Sequence, residues 1–464
     1  MLSNLRETLM ERTDLNRTRL NQLIERERAV AAERTPKSRA LAALAQEHMI
    51  GGVPMQWMEI WVGQHVVFFE RAKGNRIVDV DGNELIDFCL GDTGSMAGHS
   101  PDAMVAAVQR RIGELGGITT MLPTEDAIWV AGELARRFGL PKWTFSLTAT
   151  DANRWVLRTC RQLTGRSKVL IMNYSYHGSV DETIIALENG VATKKPGNVG
   201  PAVDPAITTR VVEFNDLAAL ERELAHGDVA CVLAEPALTN MGIVLPDAGY
   251  WEKATRLIKA AGALLVIDET HTLSAGPGGC TQAWGLQPDI VTIGKSIAGG
   301  VPIGAYGVSA EIDAQIQADP DGDYVDTGGV GGTLAGNALS LAAARGTLEH
   351  VLTDEAFVGM CELGACMLAG MRELIERHNL PWVVEGLGAR AEFRFCATMP
   401  ANGGASHDAH DADVEEWLHL VTLNNGILIT PFHNMCLVCP TTTAADIDRL
   451  LEVLDAAVTE LRAA

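Results

Sequence analysis

The sequence is short of positive charge, of aromatic residues and of long apolar runs, and most of these shortages exclude something. There are 37 Lys and Arg against 59 Asp and Glu, a formal net charge of −22, and only 5% of residues are aromatic. Nucleic acid and anionic membrane surfaces both require basic patches, so neither is an expected partner. No apolar run reaches the ~18 residues of a spanning helix, which excludes an α-helical membrane protein. The opening stretch MLSNLRETLMERTDLNRTRL has no continuous apolar core and does not read as a secretory signal. Nine cysteines at irregular positions suggest reduced core thiols and a cytoplasmic location. Cys436 and Cys439 have redox or zinc spacing but no second pair, and His407 and His410 lie in a polar stretch. No metal site is therefore expected. Internal repeats and low-complexity tracts are also missing.

With 464 residues, 47% of them apolar and 21% charged, the chain suits a large α/β domain with a smaller companion. Leu2, Leu5 and Leu9, then Leu15, Leu20, Leu23 and Ile24, recur at roughly helical spacing. This predicts an amphipathic N-terminal arm packed on its own body or on a partner subunit. Ile77–Val80 and Leu85–Phe88 flank Asp81-Gly82-Asn83 and predict a hairpin. From about residue 100, short apolar runs at Thr144–Thr148, Val169–Met172, Val229–Ala234, Leu264–Ile267 and Ile290–Ile293 are separated by helical stretches such as Trp251–Ala261. A further helical stretch, Ala127–Phe138, precedes the first of them. That rhythm predicts a mostly parallel sheet with helices on both faces. An amphipathic helix is expected over Ala444–Leu461 and an exposed loop over Pro400–Asp413.

In such sheets ligands gather at the carboxyl ends of the strands. Each predicted strand here ends in polar residues: Thr148–Asp151, Asn173–His177, Glu235-Pro236, Asp268-Glu269 and Gly294-Lys295-Ser296. Leu264–His271, LLVIDETH, looks like the acidic box of a nucleotide-driven helicase, and Gly294-Lys295-Ser296 like the end of a P-loop. A P-loop needs glycine five residues before its Gly-Lys, where Asp289 stands, and the order of the two motifs is reversed. A different pairing explains more. Asp268 ends one buried strand and Lys295 ends a later one. In a partly dry cleft a lysine can form a Schiff base with pyridoxal phosphate, while a carboxylate keeps the pyridine nitrogen protonated. For the pair alone, a buried salt bridge is the plainer alternative.

The surrounding residues favour the cofactor. Residues 264–307, LLVIDETHTLSAGPGGCTQAWGLQPDIVTIGKSIAGGVPIGAYG, resemble the class III aminotransferase signature of the fold type I pyridoxal phosphate enzymes. The resemblance is nearest the branch of glutamate-1-semialdehyde aminomutase and the β-amino acid aminotransferases. Arg76–Phe88, Gly98–Pro101, Glu235–Gly242 and Gly331–Leu339 support it, and it runs from about Gly51 to the end. It implies an α/β architecture with a large cofactor-binding domain over 99–345, whose mostly parallel central sheet is flanked by helices. A smaller α+β domain would be built from 49–98 and 346–464, with residues 1–48 as a helical arm.

Carried over residue by residue, the resemblance makes Lys295 the Schiff-base lysine and Asp268 the partner of the pyridine nitrogen. Tyr176 would stack on the cofactor ring and Asn240 would meet its phenolic oxygen. Thr270 would lie against the opposite ring face, where relatives carry valine, and His271 near the phenolic oxygen. The phosphate would be held by Ala149 and Thr150 of Thr148-Ala149-Thr150-Asp151-Ala152 at a helix start. Thr333 would reach it from a neighbouring subunit, giving a homodimer with active sites at the interface.

The implied reaction moves an amino group from a primary amine or amino acid to a 2-oxo acid by a ping-pong route. An aminomutase, racemase, decarboxylase or lyase on the same scaffold is the alternative. The aminomutase branch carries an arginine for the substrate carboxylate shortly after its Gly-Gly-Val. Here Gly51-Gly52-Val53 is followed by Pro54-Met55-Gln56-Trp57-Met58. That favours an apolar or aromatic donor, with Trp57 and Trp61 walling the entrance. Arg390 and Arg394 share one strand face, either clamping a substrate carboxylate in the cleft or facing solvent. Residues 275–279, AGPGG, are expected to form a flexible loop at the mouth of the site.

Overall fold

The structure is a computed structural model and describes residues 15–431 and 433–463. Leu2, Leu5 and Leu9 of the expected arm lie outside the described residues. The chain divides into two compact units. The larger comprises Pro101–Val358 with Pro400–Asp408, and the smaller the described residues before Pro101 with Gly359–Met399 and the chain from Ala409 onward. The expected division at 345 falls inside the helix Ala338–His350, and the larger unit runs on to Val358.

Seven strands form the sheet of the larger unit: β1 Lys142–Ser146, β2 Lys168–Met172, β3 Thr209–Val212, β4 Val229–Ala234, β5 Leu264–Asp268, β6 Ile290–Ile293 and β7 Gly304–Val308. Their order is β1-β7-β6-β5-β4-β2-β3. β2 to β6 run parallel, and β7 is antiparallel to both β6 and β1. The apolar runs foretell five of these strands. β7 was masked by its glycines, and those glycines are what let it pack. A Cβ at Gly304 would stand 2.3 Å from the Thr148 carbonyl oxygen, and one at Gly307 would enter the Trp143 ring at 2.4 Å. β4 is buried at all six positions, as a central parallel strand covered on both faces should be. The helix Ala149–Thr164 buries Ala152, Val156 and Cys160 among residues such as Val169, Cys231 and Val266. Because β1, β2, β4, β5 and β6 share one direction, their carboxyl ends meet along a single edge.

In the smaller unit Arg76–Asp79 and Glu84–Asp87 form the expected hairpin, with the Asp79 carboxylate accepting from the backbone N–H groups of Asp81 and Asn83. The helix Arg17–Arg34 buries Leu20, Leu23 and Ile24 and packs against the helix Ala412–Asn424, where Arg28 pairs with Glu416 at 2.6 Å. The described part of the arm thus lies on its own body. The expected exposed loop at Pro400–Asp413 is corrected. It contains the helix Gly403–Asp408, with Gly403 and Ser406 buried, and runs into the next helix at Ala412. All nine cysteines are free, with Cys436 and Cys439 both buried. Among the described residues, no helix is long and apolar enough to cross a membrane, and no group of three His, Cys, Asp or Glu is placed to hold a metal ion.

The strand Arg390–Arg394 corrects another expectation. All five of its residues are buried, so alternation gives no solvent face, and Arg390 and Arg394 point into a charged interior of their own unit. Arg390 donates through Nε to Glu392 Oε1 at 2.7 Å, and Arg394 lies 3.7 Å from Glu415. His433 stands 3.4 Å from both Glu392 and Asp92. Burial pushes the Glu392 carboxyl up, but the charges of Arg390 and His433 outweigh it and hold the group at about 2. A carboxylate depressed in the folded state stabilises fully above its unfolded value of ~4.3 and stops doing so as pH falls through the folded value. The Glu392 contribution should therefore fade between those two limits, and Glu392→Gln should abolish that dependence. The variant should also lose ~3–5 kcal/mol at neutral pH, because Arg390 would be left buried without its anion. Urea unfolding across pH checks both effects.

Candidate active site

Asp268, at the carboxyl end of β5, is buried, and its two oxygens accept three hydrogen bonds. Oδ2 accepts from Asn153 Nδ2 at 2.9 Å and pairs with His177 Nδ1 at 3.0 Å, and Oδ1 accepts from the Thr270 backbone N–H at 3.0 Å. Burial pushes this carboxyl up, yet His177, Thr270 and Asn153 together outweigh it and keep the group below the ordinary aspartate value. The result is a dry, ionised carboxylate with room on Oδ1 for one further donor. Neither Asn153 nor His177 stood among the expected site residues. His177 was visible within Tyr-His-Gly. Asn153 left one faint signal, a polar residue on the otherwise largely apolar buried face of its helix.

Lys295 follows β6 after Gly294. Its backbone is left-handed, with φ of 51°, a strained conformation for a lysine and one concentrated at functional sites. Its Nζ lies 2.7 Å from His271 Nε2. Gly294 permits the approach to the neighbouring helix: a Cβ there would press on Ala149 Cβ at 3.0 Å and Ala149 N at 3.1 Å. Lys295 is thereby brought beside the first turn of Ala149–Thr164. In that turn Thr148 caps Asp151 N–H at 3.1 Å, while the N–H groups of Ala149 and Thr150 precede the first intrahelical bond and point out of the helix start.

Thr150 also braces the next loop. Its Oγ1 accepts from Ser179 N–H at 3.3 Å, and Gly178, with φ of +80°, lies so near that a Cβ would fall 2.0 Å from that oxygen. Gly178→Ala is expected to cost at least ~1 kcal/mol from the left-handed backbone alone and to push Thr150 away from the helix start. Thermal unfolding of the apoprotein and titration with cofactor would register the two effects separately.

Tyr176, half-buried, is fixed through its backbone N–H to Glu235 Oε1 at 3.0 Å. The other oxygen of Glu235 accepts from Thr239, next to Asn240, so one carboxylate ties the Tyr176 loop to the Asn240 loop. Burial pushes the Glu235 carboxyl up. Glu269 is likewise buried, and it accepts from Thr272, Cys280 and Thr281. Residues 275–279 are mostly buried, and Gly279 lies so near this carboxylate that a Cβ would stand 2.2 Å from Glu269 Oε2, so the stretch expected as a flexible loop is a packed turn. Ala149, Thr150, Tyr176, Asn240, Asp268, Thr270, His271 and Lys295 thus all belong to the strand-end edge of one unit. Thr333 is exposed in a glycine-rich segment of the same unit. Trp57, exposed on the short helix Gln56–Ile60, and Arg390 and Arg394 belong to the other unit.

The family model for class-III aminotransferases matches residues 58–458, and the chain belongs to that family. It is similar to a glutamate-1-semialdehyde aminomutase of Pseudomonas aeruginosa PAO1. The two are 45% identical, with a TM-score of 0.93 over 96% of this chain and 99% of the other, and a lysine-to-alanine variant of that protein has been solved in complex with PMP. A glutamate-1-semialdehyde 2,1-aminomutase of Chloroflexus aggregans is 33% identical over 446 residues, covering 93% of this chain and all of the relative. A β-phenylalanine aminotransferase of Variovorax paradoxus shares the fold, with a TM-score of 0.84 at 24% identity over 94% of this chain and 97% of its own. The architecture is that of the fold type I enzymes, and the cofactor is pyridoxal 5′-phosphate.

The residues fit that cofactor. Two outward N–H groups at a helix start suit a phosphate, and the ionised Asp268 suits a protonated ring nitrogen. Thr270 presents a buried hydroxyl beside Asp268.

Proposed function

We propose that this protein is an aminomutase-type enzyme, exchanging amino and oxo groups between neighbouring carbons of one small substrate without a second 2-oxo acid. The observation that carries the reading is the 45% identity, over nearly the whole chain, to a protein described as a glutamate-1-semialdehyde aminomutase. Pyridoxal phosphate, when bound, supplies an electron sink for the carbon that bears the amino group. Asp268 holds the ring nitrogen protonated, and His177 and Asn153 hold Asp268 ionised and in place. Ala149 and Thr150 bind the phosphate. Lys295 Nζ accepts and returns the proton at the substrate carbon, and His271, in hydrogen-bond reach of that nitrogen, stabilises it whenever it is charged.

The same reading makes the protein a cytoplasmic homodimer in which Thr333, exposed in its own chain, completes the neighbouring site. A second reading is a transaminase that pairs an apolar or aromatic amine donor with a 2-oxo acid. It is favoured by the absence of arginine from Pro54–Met58 and by the exposed Trp57. Glutamate-1-semialdehyde supplied alone separates the two. Formation of its isomer, with no 2-oxo acid added, supports the aminomutase. Turnover that appears only when a donor and a 2-oxo acid are both present supports the transaminase.

A further inference from the structure

Nine residues from late in the sequence, Pro400–Asp408, belong to the larger unit, and their contacts converge near the loop that carries Asn240. Gly403 sits so close to the end of β2 that a Cβ would stand 2.0 Å from the Asn173 carbonyl oxygen and 3.2 Å from Leu238 Cδ1. Gly404 N–H donates to Glu213 Oε2 at 3.2 Å, and Asn173 Nδ2 donates to Glu213 Oε1 at 2.5 Å. Asn215 Nδ2 donates to the Ala401 carbonyl at 3.0 Å. The His407 ring stacks on Tyr174 with centroids 4.2 Å apart. At the centre of this seat, Ser406 is buried and donates its hydroxyl to the carbonyl of Met241.

Asn240 therefore lies between two anchored neighbours. Thr239 is held by Glu235 through both its N–H and its hydroxyl, and Met241 is held by Ser406. We propose that Ser406 is a positioning residue for the reaction: its bond to Met241, on a segment locked by Gly403 and the His407–Tyr174 stack, sets the direction of the Asn240 side chain. This rests on the reading that Asn240 meets the phenolic oxygen of the cofactor. Fixing the backbone one residue past Asn240 removes the freedom its amide would otherwise spend on binding.

The test is a double-mutant cycle on the full-length protein, reading cofactor Kd by reconstitution of the apoprotein, the visible absorption maximum, and the melting temperature of the apo form. Ser406→Ala should weaken cofactor binding by roughly two- to tenfold, the range one hydrogen bond commands, and should shift the absorption maximum. Asn240→Ala should do the same or more. The double variant should be no worse than Asn240→Ala alone, since the two act through one contact. Ser406→Thr, which keeps the hydroxyl, should recover most of the affinity. A lower melting temperature in Ser406→Ala with unchanged Kd and spectrum overturns the proposal, as do losses that multiply in the double variant. If Asn240→Ala itself leaves Kd and spectrum unchanged, the assignment of Asn240 fails first and the role of Ser406 falls with it.

Discussion

Lys295→Ala should abolish turnover, a fall of at least ~10²–10⁴-fold, the contribution of a positioned proton-transfer group. Lys295→Arg should fall as far, because guanidinium keeps the charge but does not release a proton at working pH. That comparison separates proton transfer from electrostatics. The structural ground is local. Lys295 sits in a left-handed backbone after a glycine whose lack of a Cβ permits close approach to the helix start, with its nitrogen 2.7 Å from His271. Steady-state kinetics with saturating cofactor measure the effect, and a loss smaller than tenfold in either variant would contradict the role.

Asp268→Asn should be nearly as damaging. The amide keeps the shape of the side chain but not the charge, so on the proposed role of Asp268 the ring nitrogen would lose the partner that keeps it protonated, and a loss of ~10²–10³-fold is expected, comparable to removing a preorganised electrostatic contact. The amide could keep its oxygen toward His177 and Asn153, which both face Asp268 Oδ2, only by turning its NH2 toward the Thr270 backbone N–H that now donates to Oδ1. The pH dependence carries the same argument. Asp268 lies below the ordinary aspartate value although burial alone would raise it. It therefore stays ionised to lower pH than an ordinary aspartate, and its protonation should set no acid limb at or above the ordinary aspartate value. Removing the imidazole in His177→Ala takes away the strongest opposition to burial, so the variant should develop an acid limb at higher pH than the wild type. A kcat profile for the two enzymes decides it.

Much of the candidate site was legible because its polar residues sit at strand ends. The runs ending at Asp268 and before Lys295 are short, apolar and strand-like, and the topology of a parallel sheet puts their ends on one edge. The supports were harder to read. Asn153 and Asp268 are 115 positions apart, and Tyr176 and Glu235 are 59 apart. Hydrogen bonds of that range leave no periodic trace. Arg390 and Arg394 mislead for a different reason. Alternation predicts an inside and an outside face only when one side of a sheet meets solvent, and this strand is buried throughout, with Glu392 as the counter-charge of Arg390 and Glu415 that of Arg394. Pro400–Asp408 has the composition of a loop, rich in Gly and Ala. Its glycines serve close approach to Asn173 instead of flexibility.

The most direct measurement of the central claim is chemical. The holoprotein is reduced with borohydride, digested, and its peptides are searched by mass for covalently attached cofactor. The cofactor mass is expected on the peptide containing Lys295 and on no other, and it should be absent after the same treatment of Lys295→Ala. Attachment to a different lysine, or a wild-type protein that carries no cofactor after reconstitution, would contradict the account.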